Sequence, residues 1–232
     1  MKNLINLVII IFLTLGTGCK KETIQNAGLS RNVERVSLLI DYEAGYGGYI
    51  YPVYNPYVFY KNGTVVKEPI VPIDELNPNA LTKEQVSDWG TWERVGDKVT
   101  ITYADGDISE KDWPGNDAYP SSKGDSPEGS FGSISGGGNL AFGGEVGVLN
   151  YSSLSFTADG WYTTEHLGGV NGNPASAYHT ETTSGRYTFD DDYSITLTAN
   201  NGQSQRFFFC WYGSDREGVF RLGGRTFTED ED

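Results

Sequence analysis

From Val33 to Phe227 apolar and polar residues alternate in short runs, and a period of two predicts β-strands rather than helices. In Val99-Thr100-Ile101-Thr102-Tyr103 the odd positions share one face and the threonines the other. Ile195-Thr196-Leu197-Thr198-Ala199 repeats the arrangement. Lys61-Asn62-Gly63, Asp105-Gly106, Asp159-Gly160 and Asn200-Asn201-Gly202 punctuate the runs as tight hairpin turns. Val36 to Ile40 reads as a buried strand. The piece from Tyr46 to Tyr60 carries Pro52 and Pro56 and reads as an edge strand or an extended lead-in. Arg206 to Tyr212 is apolar on both faces, as a central strand is, with Cys210 a buried thiol. Val219 to Phe227 closes the chain as a last hairpin. One helix signal stands apart. Thr82 and Gln85 form a capping box and Leu81 and Val86 a hydrophobic staple, which predicts a short helix over 83–88.

The strand pattern occurs twice. Phe59-Tyr60-Lys61-Asn62-Gly63 matches Phe156-Thr157-Ala158-Asp159-Gly160, 97 residues on. Gly90 matches Gly185 at 95, and Val99–Thr102 matches Ile195–Thr198 at 96. The chain then divides into a signal peptide (1–18), a lipid anchor and flexible tether (19–32) and a first β unit (33–113). A Gly/Ser-rich linker (114–139), a second β unit (140–228) and an acidic tail (229–232) follow. Residues 167–183 read as a polar excursion. Each unit must cover an apolar sheet face. One barrel or sandwich built from both units does this and limits exposed edges. Two small β domains joined by 114–139 are the alternative.

The N-terminus changes the picture from fold to location. Lys2, the apolar run Leu4–Leu15 and small residues before Cys19 spell a cleaved signal. The cysteine directly after the small residues resembles a bacterial lipoprotein signal, and Cys19-Lys20-Lys21-Glu22 resembles the start of many Bacteroidota lipoproteins. The resemblance implies acylation of Cys19. Each buried methylene contributes about 0.8 kcal/mol, so several chains would anchor the protein at an outer membrane, facing the periplasm or the cell surface. With Cys19 lipidated, Cys210 is the only other cysteine and no intramolecular disulfide forms. A net charge of −14 opposes nucleic-acid phosphates, so no nucleic-acid partner is expected.

The second half is similar to an uncharacterised family of secreted or lipid-anchored bacterial proteins. The matching residues are Ser135–Asn139, Phe156–Gly160, Ser184–Tyr187, Leu197 before a turn, Arg206–Phe209 and Gly223–Phe227. The resemblance implies an all-β, lipocalin-like barrel or sandwich of antiparallel meanders. It implies no activity.

Candidate chemistry is sparse. Tyr49, Tyr51, Tyr54, Tyr57 and Trp92 belong to an aromatic-rich stretch whose flat faces suit a sugar ring or a planar ligand. The same residues serve equally as good strand formers. Asp190–Asp192, Asp105-Gly106-Asp107 and Asn171-Gly172-Asn173 fit turns better than a calcium loop. His166 and His179 lack a zinc pattern. No metal, no cofactor and no catalytic residue is expected. The expectation is a non-catalytic outer-membrane lipoprotein whose β domain binds a small ligand or glycan. An assembly subunit with an envelope-protein partner is the alternative, and a carbohydrate-active enzyme comes third.

Overall fold

The computed structural model describes residues 32–44, 50–138, 147–171 and 176–230. It is almost entirely β. Strands β1 (Val33–Ala44), β2 (Ile50–Tyr60), β3 (Thr64–Pro69), β4 (Val86–Val95), β5 (Lys98–Tyr103), β6 (Ile108–Asp112) and β7 (Asn116–Asp117) form one antiparallel sheet. Its order is β6-β5-β4-β3-β2-β1-β7, and it curls into a half-barrel. Strands β8 (Gly129–Gly138), β9 (Gly147–Phe156), β10 (Trp161–Asn171), β11 (Ser176–Phe189), β12 (Ser194–Ala199), β13 (Ser204–Trp211), β14 (Val219–Leu222) and β15 (Arg225–Glu229) close into a barrel. The all-β class and a barrel are as the pattern predicts, but the barrel closes from β8–β15 alone rather than from both units together.

The duplication is visible in backbone detail. Gly63 and Gly160 both turn with φ +85°. Gly63 N donates to Tyr60 O at 3.0 Å and Gly160 N to Thr157 O at 3.0 Å. Gly90 and Gly185 are glycine for one reason. A Cβ at Gly90 would lie 2.1 Å from the Thr102 carbonyl oxygen, and one at Gly185 would lie 2.0 Å from that of Thr198. Trp92 pairs with Ile101 on β4–β5 as Tyr187 pairs with Leu197 on β11–β12. Strands β1–β6 therefore correspond to β8–β13. The copies part at closure. In the barrel β14 lies between β13 and β15, whereas no described strand separates β6 from β7. Instead Lys111 on β6 reaches across to β1, donating to Ile40 O at 2.8 Å and Asp41 Oδ1 at 2.5 Å.

Three cores follow. Leu39, Tyr57, Phe59, Val65, Val99 and Ile101 fill the half-barrel, with Trp92 and Trp113 against them. Phe131, Leu154, Phe156, Tyr187, Phe189, Ile195, Phe209, Trp211, Phe220 and Phe227 fill the closed barrel. Between the units, Val36, Leu38, Val58, Tyr60, Val66 and Val86 cover Tyr193, Phe208 and Cys210 on the barrel's outer wall. The alternation on β13 thus serves two cores at once. The buried Arg221–Glu68 pair (2.6 Å) and the Phe208 N to Ile70 O bond (3.0 Å) tie the units together. Burial pushes the Cys210 thiol up to about 12, so it stays protonated at neutral pH.

Four further expectations are corrected. Residues 83–88 are not a helix. Half of the capping box forms, with Gln85 Oε1 accepting from Thr82 N at 3.3 Å, while Gln85 N donates to the Thr82 carbonyl rather than to its hydroxyl. However, the chain leaves after a single turn, because Val86 is wholly buried in β4 opposite Pro69. So short a helix has little intrinsic stability to set against that burial. The region 114–139 is not a plain linker. It contains β7 and all of β8, a barrel strand whose Gly and Ser residues hide its period. Its middle passes under one end of the barrel, where Trp211 Nε1 donates to Asp125 Oδ2 at 3.1 Å. Residues 167–183 are not an excursion, since β10 and β11 stay paired from Leu167↔Thr180 to Asn171↔Ser176. Glu229, assigned to the tail, belongs to β15 and pairs with Phe131 of β8.

Candidate functional site

Strands β8–β11 have 10, 10, 11 and 14 residues, and β12–β15 have 6, 8, 4 and 5. The barrel therefore has one high wall and one low wall at the end opposite the 118–128 segment. The aromatic core fills the lower part of the barrel. Above it lies an open cup of about 820 Å³, with Leu197, Phe207, Leu222 and Phe227 toward its floor and Ser152, Thr164, His166 and Arg225 on its walls. This size falls within the range of sites for small organic molecules.

Three of the wall residues touch one another. Ser152 Oγ lies 2.9 Å from His166 Nδ1 on the neighbouring strand, its direct cross-strand partner. Arg225, reaching from β15, donates through Nη1 to Ser152 Oγ and lies 3.4 Å from His166 Nδ1. Alternation explains the convergence. Leu154 and Phe156 face the core, so Ser152 also faces inward, and Phe227 turns Arg225 inward in the same way.

The half-barrel shows why the cup is open. Corresponding positions there hold large or charged side chains, aligned by hairpin anchor and strand register. Asn55 stands where the barrel has Ser152, Lys67 where it has Thr164, Tyr103 where it has Ala199, and Lys111 where it has Phe207. They assemble on Asp41, which is 8% exposed. Asn55 Nδ2 donates to it at 2.9 Å, Tyr57 OH at 2.9 Å, Lys67 Nζ lies at 2.9 Å and Lys111 Nζ at 2.5 Å. The Tyr57 and Tyr103 hydroxyls meet at 3.0 Å. Burial alone would raise the Asp41 carboxyl. Hydrogen bonds from Lys111, Asn55 and Lys67, with the charge of Lys67, outweigh it and hold the group at about 2. Burial, and then the charge of Asp41, push the Tyr57 hydroxyl far above its ordinary range. One copy of the fold is filled by an ionic cluster, and the other keeps the space.

The aromatic residues singled out from the sequence do not form one surface. Tyr57 is fully buried and stacks on Phe59, with centroids 6.3 Å apart. Trp92 packs in the same core, stacked on Trp113 at 5.5 Å, its indole N–H bonded to Tyr60 O at 3.0 Å. Tyr51 is exposed, with its hydroxyl 3.4 Å from Glu43. Tyr54 lies exposed on the sheet's other face, its carbonyl accepting from Tyr212 OH at 2.7 Å. Tyr49, Cys19 and the 1–18 signal lie outside the described residues. His166 and His179 sit on β10 and β11, and His179 pairs with Glu181 at 2.9 Å. Asp105 caps its own turn by accepting from Asp107 N at 3.0 Å, and Asp191 accepts from Lys123 N at 2.7 Å. No group of three His, Cys, Asp or Glu is placed to hold a metal among the described residues.

The residues that sequence reasoning missed are Ser152, Thr164, Ala199 and Arg225. The duplication carried the signal for the first three, as positions where the second copy substitutes small side chains for large ones. Comparison of the chain with protein-family models, curated proteins and solved structures finds no match in any of the three. Among the described residues no helix is long and apolar enough to cross a membrane.

Proposed function

We propose that this chain is a lipid-anchored envelope protein of the lipocalin-like kind. Its closed barrel receives one small organic ligand in the cup above the aromatic core. The observation that carries the reading is the cup itself, kept open in one copy where the other is filled by Asp41 and its partners. Nothing in the mechanism is catalytic. Apolar floor residues supply affinity by leaving water, and a few wall groups orient the ligand. Acyl chains on Cys19 hold the protein to the outer membrane, and residues 20–32 keep the β body off the surface.

The test is a native mass spectrum of the full chain extracted from bacterial membranes in mild detergent. The expected result is a covalent acyl mass on Cys19 and a non-covalent extra mass of roughly a few hundred daltons. The non-covalent mass is lost in Ala199→Tyr, which imports the bulk of Tyr103 into the cup. An unmodified Cys19 overturns the anchor. A bound mass that survives Ala199→Tyr overturns the cup.

A second reading, an assembly subunit, is favoured by the outer face of the β1–β2 hairpin. Ile40, Tyr42, Ile50 and Tyr54 share that face and are 39%, 72%, 73% and 40% exposed. An apolar face of this kind often marks a protein contact. One stoichiometric protein partner in a pull-down from solubilised membranes, lost when Tyr42 and Ile50 are changed to Ser, supports it.

A further inference from the structure

The seven arginines among the described residues sort by partner. Arg35, Arg206, Arg216 and Arg221 each pair with a carboxylate. Arg94 and Arg186 lie over tryptophan rings, at 5.5 Å and 4.1 Å. Arg225 has neither kind of partner among the described residues. Its guanidinium meets only the Ser152 hydroxyl and the His166 ring. In a chain with 31 acidic residues against 17 basic ones, a cavity-facing cation that has no carboxylate partner among the described residues runs against the composition. Among the described residues it is also the only Lys or Arg lining the cup, and Glu165 is the only carboxylate residue lining it.

We propose that the cup takes amphipathic monocarboxylates, with Arg225 as the receptor for the head group and Ser152 and His166 as its positioning residues. The inference rests on the reading of the cup as a ligand site. Three observations converge on it. A guanidinium presents parallel N–H donors that match a carboxylate in geometry and in charge. Ser152, only 6% exposed, is fixed against the wall and holds the Arg225 Nη1 on the cavity side. The floor beneath is apolar, so a chain or ring on the same molecule leaves water as the head group docks. A single cation suits a single negative charge, whereas a phosphate dianion would call for a second.

The test titrates the full chain in mild detergent with decanoate, decan-1-ol and decylammonium. The readout is native mass spectrometry, applied to wild type, Arg225→Gln and Ala199→Tyr. Decanoate is expected to bind wild type at least about tenfold more tightly than decan-1-ol, since hydrogen bonds to charged groups are the strong ones. Arg225→Gln removes that preference, and Ala199→Tyr removes the binding of both. Equal binding of decanoate and decan-1-ol, lost in Ala199→Tyr, overturns the head-group assignment and leaves the cup standing. A preference for decylammonium also overturns it. No binding of any of the three overturns the cup as well.

Discussion

Replacing Asp41 with Ala is expected to lower the free energy of unfolding by about 3–5 kcal/mol, the cost of stranding buried charges whose partner has been removed. Four groups lose their acceptor together. The side chains of Lys67 and Lys111 are 22% and 14% exposed, so neither can fully rehydrate in place. The Tyr57 hydroxyl and Asn55 amide are more deeply buried still. The loss also removes one of the two Lys111 links between β6 and β1, leaving the bond to Ile40 O where a strand is missing. Replacing the set together, Asp41→Leu with Lys67→Met and Lys111→Met, is expected to cost less than the single change, because the desolvation penalties leave with the charges. The pH dependence has a definite sign. Asp41 is held at about 2 when folded against an ordinary 3.8, so its ionisation favours the folded state. That contribution, about 2 kcal/mol, is complete above pH 4 and fades as pH falls toward 2. Urea unfolding of wild type and Asp41→Ala across that window measures it. The gap between the two should narrow on acidification, and a constant gap contradicts the assignment.

Phe220→Ala is the second large effect, at about 3–5 kcal/mol. Phe220 is fully buried, and its ring has five aromatic neighbours. Centroid distances are 4.9 Å to Phe131, 5.2 Å to Phe209, 5.4 Å to Phe227, 5.5 Å to Trp211 and 6.1 Å to Phe156. These neighbours come from β8, β9, β13 and β15, and Phe220 stands on β14, the strand that has no counterpart in the half-barrel. Edge-to-face and stacked rings contribute beyond the area they bury. The flanking strands are held by their own hydrogen bonds and cannot collapse into the space, so most of the cavity cost persists. Urea unfolding reads the loss. A change below about 1 kcal/mol would mean that the barrel does not depend on this centre.

Much of this fold is legible in the sequence because period-two alternation survives wherever one face is buried. Val99–Tyr103 and Ile195–Ala199 show it, and the turn glycines fix where each run ends. The duplication was readable for the same reason, since Gly90 and Gly185 answer one backbone contact. What hid β8 was composition, because Gly and Ser carry almost no hydrophobic contrast. The 83–88 helix failed because local capping is weaker than the burial of Val86 and the packing of Trp89 in β4. The candidate site was misplaced for a related reason. Tyr57 and Trp92 look like ligand platforms in one dimension, but alternation turns both into the half-barrel core. The cup is made by what is small, at Ser152, Thr164 and Ala199, and small residues announce nothing until a second copy shows what could stand there. Arg225 was passed over because an arginine beside a hairpin turn usually faces water.

One copy of the barrel keeps an open cup, and the other copy is filled. Methyl NMR of the full chain with labelled leucines, titrated with the uncharged probe N-phenyl-1-naphthylamine, tests this most directly. Leu197 and Leu222 line the cup, and Leu39 lies in the filled core. Saturable shifts are expected at Leu197 and Leu222, with a still Leu39 and no shifts in Ala199→Tyr. Shifts at Leu39 with Leu197 and Leu222 unmoved, or the same shifts in Ala199→Tyr, would contradict it.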